Sequence, residues 1–334
     1  MAAAIDPPGH GCVRARVAPA RPDSGRRVRW THTARQTRLV RGLPSLLAAL
    51  LTAVLLTVAC TDGSGRPEVR LGVGATVEQR ALAGLTRVTL EELGLEVRVV
   101  PDIGDTVDVR AMMLDGDLDL YWDYTGAAWS LGLGRAQPSA DPRESFEAVR
   151  AADVANGLRW YGPTQANATL ALFVRAAERP ADDAGTMSWL AGQLATVPGG
   201  LCADEDFLNR PAGYAALADA YAIATTSVST VAAGEAKAIT SVASGECYAA
   251  LATATSGTAV SAGLLPVIDD QGVFPAFVVA PVVREGGRAD TEAITQALDE
   301  VSARIDTLDL AELNARVTAG EDPAEAAADL LGGE

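Results

Sequence analysis

The sequence predicts an α/β fold, and three observations carry that prediction. Strand-like and helix-like segments alternate from residue 68 onward, so that strand, helix, strand, helix and strand follow one another within about fifty residues. A second α/β unit fills residues 171–265. From about residue 290 the pattern is helical only, with Leu298, Val301 and Ile305 on one face and Leu310 and Leu313 on the face of the next helix. Tail helices of this kind cap a sheet rather than carry chemistry, so the first unit is expected to combine residues 68–170 with 266–334. At 334 residues and 49 % hydrophobic, the chain can build one large or two medium domains with real cores.

The elements are read in order. Glu68–Gly74 is the first strand, with glycines at its exit. Thr76 is an N-cap with Gln79 three residues on, opening a helix that runs to about Leu93 and stops at Gly94. Leu95–Val100 is a strand, Pro101–Asp105 a turn, Thr106–Leu114 a short helix and Leu118–Tyr121 the third strand, the set defining a doubly wound parallel sheet. Pro142–Leu158 is expected to be helical and Ala168–Val174 to be a strand crossing between units. Further strands are expected at 194–197, 247–253, 264–268 and 278–283. Helical turns are expected from Met187, at 203–207, 213–220 and 234–245, and in the tail at 290–305, 309–317 and 323–331.

Residues 1–60 stand apart from this pattern. Nine arginines between residues 14 and 41 precede an apolar run, Leu43–Ala59, that ends at Cys60, and residues 61–67 form a polar linker. That order is the order of an export signal, and the apolar run is slightly short of the roughly 20 residues of a spanning helix. Thr57-Val-Ala-Cys60 resembles a bacterial lipobox, with Thr57 where a branched aliphatic residue is usual. Lipidation of Cys60 is expected, and ordinary cleavage or an uncleaved anchor are the alternatives. The true translation start is expected downstream, for example at Val28.

These sixty residues hold nine of the 27 basic and two of the 43 acidic side chains, leaving 18 basic against 41 acidic, a net of −23. Such a surface repels nucleic acid and anionic membranes and suits a cationic or zwitterionic ligand, or solubility alone. Both histidines, His10 and His32, lie in the same leader, which excludes a histidine metal site or catalytic triad from the remainder. No nucleophile elbow, phosphate loop or calcium loop is present. Asp117 and Asp119 share a strand rather than forming a hydrolase pair. An enzyme is therefore not expected. Cys202 and Cys247 are 45 residues apart, and in an exported chain they are expected to be paired. On the chain-entropy model such a bridge contributes roughly 3–4 kcal/mol.

The most informative segment is Leu118-Asp-Leu-Tyr-Trp-Asp-Tyr-Thr-Gly-Ala-Ala-Trp129. It gathers Tyr121, Trp122, Tyr124 and Trp129 around Asp123 and Thr125, in a chain only 5 % aromatic. Aromatic faces attract a cation, and a strand running out into a Gly-containing loop is a usual place for a site. Trp122 and Tyr124 share one face of that strand and Tyr121 and Asp123 the other. Trp129 is expected to be buried against the core.

Five segments in order resemble the substrate-binding proteins of osmoprotectant ABC importers, over about Val69–Leu331. They are Gly72-Val-Gly-Ala-Thr-Val-Glu-Gln79, Gly116-Asp-Leu-Asp-Leu-Tyr-Trp-Asp-Tyr-Thr-Gly-Ala-Ala128, Thr164-Gln-Ala-Asn-Ala-Thr-Leu-Ala-Leu172, Asp206-Phe-Leu-Asn-Arg-Pro-Ala-Gly213 and Val273-Phe-Pro-Ala-Phe-Val-Val-Ala-Pro-Val-Val-Arg284. The resemblance implies a two-lobed periplasmic-binding-protein-like clamshell, each lobe a doubly wound sheet flanked by helices, with the ligand cleft between. It implies capture of glycine betaine, choline or carnitine in an aromatic cage. A permease and an ATPase in the membrane are the implied partners. No cofactor and no metal are implied, and a monomer anchored outside the cell membrane by lipid on Cys60 is expected. Carried over by motif, the ligand-binding residues are Tyr124, Thr125, Asp123, Trp122, Thr76, Asn167, Thr169, Arg210, Tyr214 and Phe277. Asp123 stands where the family usually has Glu. Leu170, Phe277 and Thr253 stand where it usually has Tyr, and Ser256 where it has Asp. Phe keeps a cation-binding face without a hydroxyl, whereas Leu170 and Thr253 supply neither. The missing walls are replaced by Trp122, Trp129, Tyr161 or Tyr214, or the ligand is another amine, amino acid or small polar solute. A structural or adhesive lipoprotein is the third reading.

Overall fold

The computed structural model describes residues 67–136, 138–180 and 185–332. The export signal, the lipobox-like segment with Cys60, and residues 61–66 lie outside the described residues. Among the described residues, ten strands form two five-stranded sheets. The first contains β1 (Glu68–Gly72), β2 (Glu96–Val100), β3 (Leu120–Tyr124), β4 (Leu158–Trp160) and β10 (Val279–Arg284), in the order β2-β1-β3-β10-β4. The second contains β5 (Leu170–Arg175), β6 (Leu201–Ala203), β7 (Thr230–Ala232), β8 (Ala249–Thr253) and β9 (Leu264–Val267), in the order β7-β6-β8-β5-β9.

Neither sheet is purely parallel, as the expectation of a doubly wound parallel sheet had it. β1 runs parallel to β2 and β3, but β10 is antiparallel to β3 and β4. In the second sheet β6 runs parallel to β7 and β8, while β5 is antiparallel to β8 and β9. The exceptions are the two strands that arrive from the other sheet. β10 starts with Val279 opposite Tyr124, the last residue of β3, and β5 starts with Leu170 opposite Thr253, the last residue of β8. A chain entering at the carboxyl ends of the parallel strands must run against them. Both crossings therefore meet where those carboxyl ends meet, and that edge is where open α/β sheets bind ligands.

Sheet pairing also places Leu170 and Pro266–Val267, expected in the first unit, in the second sheet. Phe274 packs into the second sheet's core, and Ile268 bridges to Thr186. The return crossing consequently begins near Pro275.

The helices follow local chemistry. Thr76 caps the Val77–Glu92 helix and accepts from Gln79 N, and Gly94 follows its end at φ 76°, a conformation that favours glycine. The tail forms helices Glu292–Ser302, Thr307–Thr318 and Pro323–Gly332, which share a core with Leu82, Leu85 and Trp122. Two strands are displaced from expectation. Residues 194–197 close the Met187–Leu194 helix and turn, and the strand is Leu201–Ala203, because Gly199 and Gly200 at φ 102° and 59° delay it. The helix expected over 142–158 stops at Asp153, and a one-turn 3₁₀ segment and Gly157 at φ 68° redirect the chain into β4. Cys202 in β6 and Cys247 ahead of β8 are bonded, with Cα atoms 6.0 Å apart. Among the described residues no helix is long and apolar enough to cross a membrane.

Asp119 lies at the start of β3, away from the crossings. It is fully buried and binds Arg70 through both carboxylate oxygens at 2.9 Å, with Arg284 at 3.2 Å. Although burial opposes ionisation, the Arg70 pairing and backbone N–H donors hold its carboxyl down to about 2. Asp119 thus fastens β1, β3 and β10 rather than taking part in a hydrolytic pair.

Candidate functional site

The cleft edge is assembled from the ends of β3 and β8 and from the two crossings. Gln79, buried one turn into its helix, donates through Nε2 to Trp122 O at 3.2 Å and to Tyr124 Oη at 3.1 Å. Those bonds fix the Tyr124 ring at the end of β3. Phe277, on the return crossing, donates its N–H to Asn167 Oδ1 at 2.7 Å. Its ring rests on Gly126 so closely that a Cβ there would lie 2.5 Å from ring carbon Cε2. Only glycine leaves room for that seat.

Two cavities adjoin at this edge and share Ala168, Thr253 and Phe277. One, of about 440 Å³, is lined by Thr76, Glu78, Tyr124, Phe277, Glu235, Thr255 and Asn314 among others. The other, of about 760 Å³, carries Thr169, Leu170, Arg210 and Phe274 with the shared residues. Both volumes are in the range of small-molecule sites. Among the described residues lining them, Arg210 is the only basic side chain, and it pairs with Asp206 at 3.1 Å.

The ten motif-derived residues separate into three groups. Tyr124, Thr76 and Phe277 line the smaller cavity, and Thr169, Arg210 and again Phe277 the larger. Asn167 and Thr169 fasten the crossings: Asn167 carries the Phe277 bond just described, and Thr169 Oγ1 donates to Pro275 O at 2.6 Å. Burial of Tyr124 pushes its hydroxyl well above the usual tyrosine range, so it stays a neutral donor beside Glu78.

The third group turns away from the cleft, correcting its assignment as ligand contacts. Trp122 is buried against the Val77–Glu92 helix and donates Nε1–H to Thr86 Oγ1 at 2.7 Å. Thr125 is fully buried, with its hydroxyl accepting from Ser145 Oγ at 2.8 Å and Val278 N at 3.1 Å and donating to Ala276 O. It ties the end of β3 to the return crossing. Asp123 is 1 % exposed and accepts from Tyr121 Oη at 2.7 Å and Tyr124 N at 2.8 Å. Burial lifts its carboxyl to about 7, against the pull of those bonds and of nearby Arg110. Tyr214 sits in the second sheet's core, where its hydroxyl has no partner. The alternation along β3 holds, but helices cover both faces of the sheet, so alternation alone did not distinguish cleft from core. Of the substitute cage walls, Trp129 donates to Ala136 O and stacks under Arg135, and Tyr161 donates to Asp290, so neither lines these cavities.

Among the polar lining residues that went unrecognised in the sequence are Glu78, Glu235, Thr255 and Asn314. Glu78 was within the first quoted motif, next to Gln79. Asn314 comes from a tail helix, which corrects the expectation that the tail only caps a sheet. Its Nδ2 donates to Glu78 Oε2 at 2.8 Å and to Thr255 O at 2.9 Å. Glu235 accepts from Thr253 N and Oγ1, both at 3.2 Å, and from Ser256 Oγ at 2.6 Å. Burial raises the Glu78 carboxyl, and the like charge of Glu235 adds to that, opposed by the neighbouring hydroxyls and amide. Among the described residues no three His, Cys, Asp or Glu side chains converge as a metal site.

This architecture has close counterparts. The solved structure of apo YehZ from Escherichia coli aligns with a TM-score of 0.71 at 28 % identity, over 80 % of this chain and 98 % of that one. A structure described as a glycine betaine/carnitine/choline ABC transporter aligns with a TM-score of 0.72 at 19 % identity, covering 79 % and 98 %, and supports the clamshell fold. In sequence, the glycine-betaine-binding protein of Pseudomonas aeruginosa is 29 % identical over 304 residues, 88 % of this chain and 94 % of the relative. The E. coli glycine betaine-binding protein YehZ is 29 % identical over 300 residues, covering 83 % and 94 %. Residues 67–332 match the family model for the substrate binding domain of the ABC-type glycine betaine transport system. That match spans nearly all of the folded chain, and the protein therefore belongs to the family of substrate-binding domains of ABC-type glycine betaine transport systems.

Proposed function

We propose that this substrate-binding protein captures a quaternary-ammonium osmolyte at the crossing edge and delivers it to a membrane permease driven by an ATPase. The observation that carries this reading is the smaller cavity, where the Tyr124 and Phe277 rings meet the carboxylates of Glu78 and Glu235 without any basic side chain. An onium head gains from aromatic faces most where water is excluded, and the carboxylates supply its counter-charge. The clamshell hinge is proposed at Ala168–Thr169 and Pro275–Ala276, with residues 68–169 and 275–334 in one lobe and 170–274 in the other. Anchoring by lipid on Cys60 at the outer face of the cell membrane and action as a monomer, without catalysis, complete the proposal. It agrees with what the relatives' names say those proteins bind.

A second reading, a different small polar solute, is favoured by one feature: Leu170 and Thr253 line the cleft where aromatic walls would complete a cage. Calorimetric titration of Tyr124→Ala against choline and glycine betaine tests the first reading. Loss of the ring is expected to weaken binding at least about tenfold, equivalent to about 1.4 kcal/mol, with the fold retained. Unchanged affinity removes Tyr124 from the site, and a folded parent protein that binds neither compound favours the second reading.

A further inference from the structure

We propose that Glu78, Glu235, Thr255 and Asn314 form a selectivity subsite that favours a hydroxylated monocation lacking a carboxylate, of the choline type, over a zwitterion. The proposal rests on the reading of this cavity as the ligand site and specifies which ligand chemistry it accepts.

The two carboxylates come from different lobes. Glu78 lies in the first turn of the Val77–Glu92 helix and Glu235 in the first turn of the Glu235–Ser244 helix, and both line the smaller cavity. Each is held by donors from its surroundings, so neither swings freely out to solvent. A cation between them relieves their mutual repulsion. A carboxylate placed there adds a third negative charge.

Independent of those acids, two buried oxygens in the same lining lack hydrogen bonds. Asn314 is 5 % exposed, and its two amide hydrogens are taken by Glu78 and by Thr255 O, which leaves Oδ1 as an acceptor with no donor. Thr255 is 1 % exposed; its hydroxyl lies near enough to Glu78 to favour the ionised form, yet meets no partner in hydrogen-bond geometry. Buried polar atoms without partners are rare, and in a cavity a ligand's donor can satisfy them. A trimethylammonium group has no N–H to offer, so the donor must come from elsewhere in the ligand. A hydroxyl two carbons from the onium centre is such a donor. The onium then lies on Tyr124 and Phe277, while its hydroxyl reaches Asn314 Oδ1 or Thr255 Oγ1.

The basic side chains point the same way. A ligand carboxylate is usually recognised by an unpaired Arg or by converging N–H donors. Arg210 is the only basic residue lining either cavity among the described residues, and Asp206 already engages it.

Choline and glycine betaine share the onium head and differ in carrying a hydroxyl or a carboxylate, so the pair isolates the proposed selectivity. Both are titrated calorimetrically into the full chain, its Glu78→Gln variant and its Glu235→Gln variant. The parent is expected to bind choline at least tenfold more tightly than glycine betaine. Each variant is expected to weaken choline at least fivefold while glycine betaine stays the same or tightens, so that the preference narrows. Glu235 is solvent-exposed, so its variant keeps the comparison readable should Glu78→Gln fail to fold. Glycine betaine binding as tightly as choline, or a preference unchanged in Glu235→Gln, overturns the selectivity while leaving quaternary-ammonium capture standing. A folded parent that binds neither compound overturns both.

Discussion

Gly257 offers the sharpest test of how the two lobes meet. It opens the short Gly257–Ser261 helix, just after Ser256 at the end of the second lobe's cleft loop, and packs against the Thr307–Thr318 helix of the first lobe. A Cβ added there would lie 2.3 Å from Ala315 N, 2.5 Å from Asn314 C and 2.7 Å from Ala315 Cα. All three are backbone atoms inside a helix, so no side chain can rotate aside. Restoring ordinary contact at 3.4–4 Å requires the helices to part by about 1 Å. Overpacking of this kind costs about 1–3 kcal/mol. In a domain of this size that predicts a melting temperature lower by roughly 3–10 °C for Gly257→Ala. Helix propensity pushes the other way, since alanine in place of glycine ordinarily stabilises by up to about 1 kcal/mol, so the sign of the shift is diagnostic. Ligand affinity should fall as well, because the parting helix carries Asn314 away from Thr255. Differential scanning calorimetry and ligand titration of the same variant check both effects. A melting temperature equal to or above the parent's refutes the close interlobe packing and the geometry assigned to Asn314.

Three further outcomes are expected. In Gly126→Ala the three atoms nearest the added methyl all belong to the Phe277 ring, at 2.5–2.8 Å, and the ring has cavity beside it to swing into. Binding of the preferred quaternary amine should weaken about tenfold, or about 1.4 kcal/mol, with little change in melting temperature, and an unchanged dissociation constant would show that the ring is not seated there. Asp123, lifted from 3.8 to about 7 by burial, holds a proton in the native state that the unfolded chain lacks between those values. Stability should therefore fall as pH rises through that window, by up to about 1.4 kcal/mol per unit from this group, and urea denaturation of Asp123→Asn should show a flatter profile; an identical slope rules the assignment out. Asp119, held down to about 2, loses its contribution only below the window, as acid protonates it. Reduction of Cys202–Cys247 should lower the unfolding free energy by roughly 3–4 kcal/mol, and intact-mass measurement of the unreduced chain tests the bond directly, since two free thiols would exclude it.

The sequence by itself determined the α/β class, the family and most elements, because these rest on local patterns. The Thr76 cap, the Gly94 stop and the periodic tail helices are written in neighbouring residues. The strands misplaced near 197 and 158 depended on glycines whose positive φ delays or redirects the chain, and residue identity does not show which glycines do so. The antiparallel direction of β5 and β10 was hidden for a different reason: it follows from each strand entering a sheet at the cleft edge, which is a property of the whole path.

The site divides the same way. Tyr124 and Phe277, read from their motifs, line the smaller cavity. Trp122, Asp123 and Thr125 belong to the same motif, yet helices on both faces of the sheet and the return crossing bury all three. Glu78 and Asn314 are 236 positions apart, and Glu235 and Thr255 come from the other lobe. Their shared cavity exists only because the Thr307–Thr318 helix packs back across the crossing, bringing together charges and unpaired oxygens that no sequence spacing relates. Tertiary packing therefore decided which polar groups face the cavity, and the local sequence decided the elements that carry them.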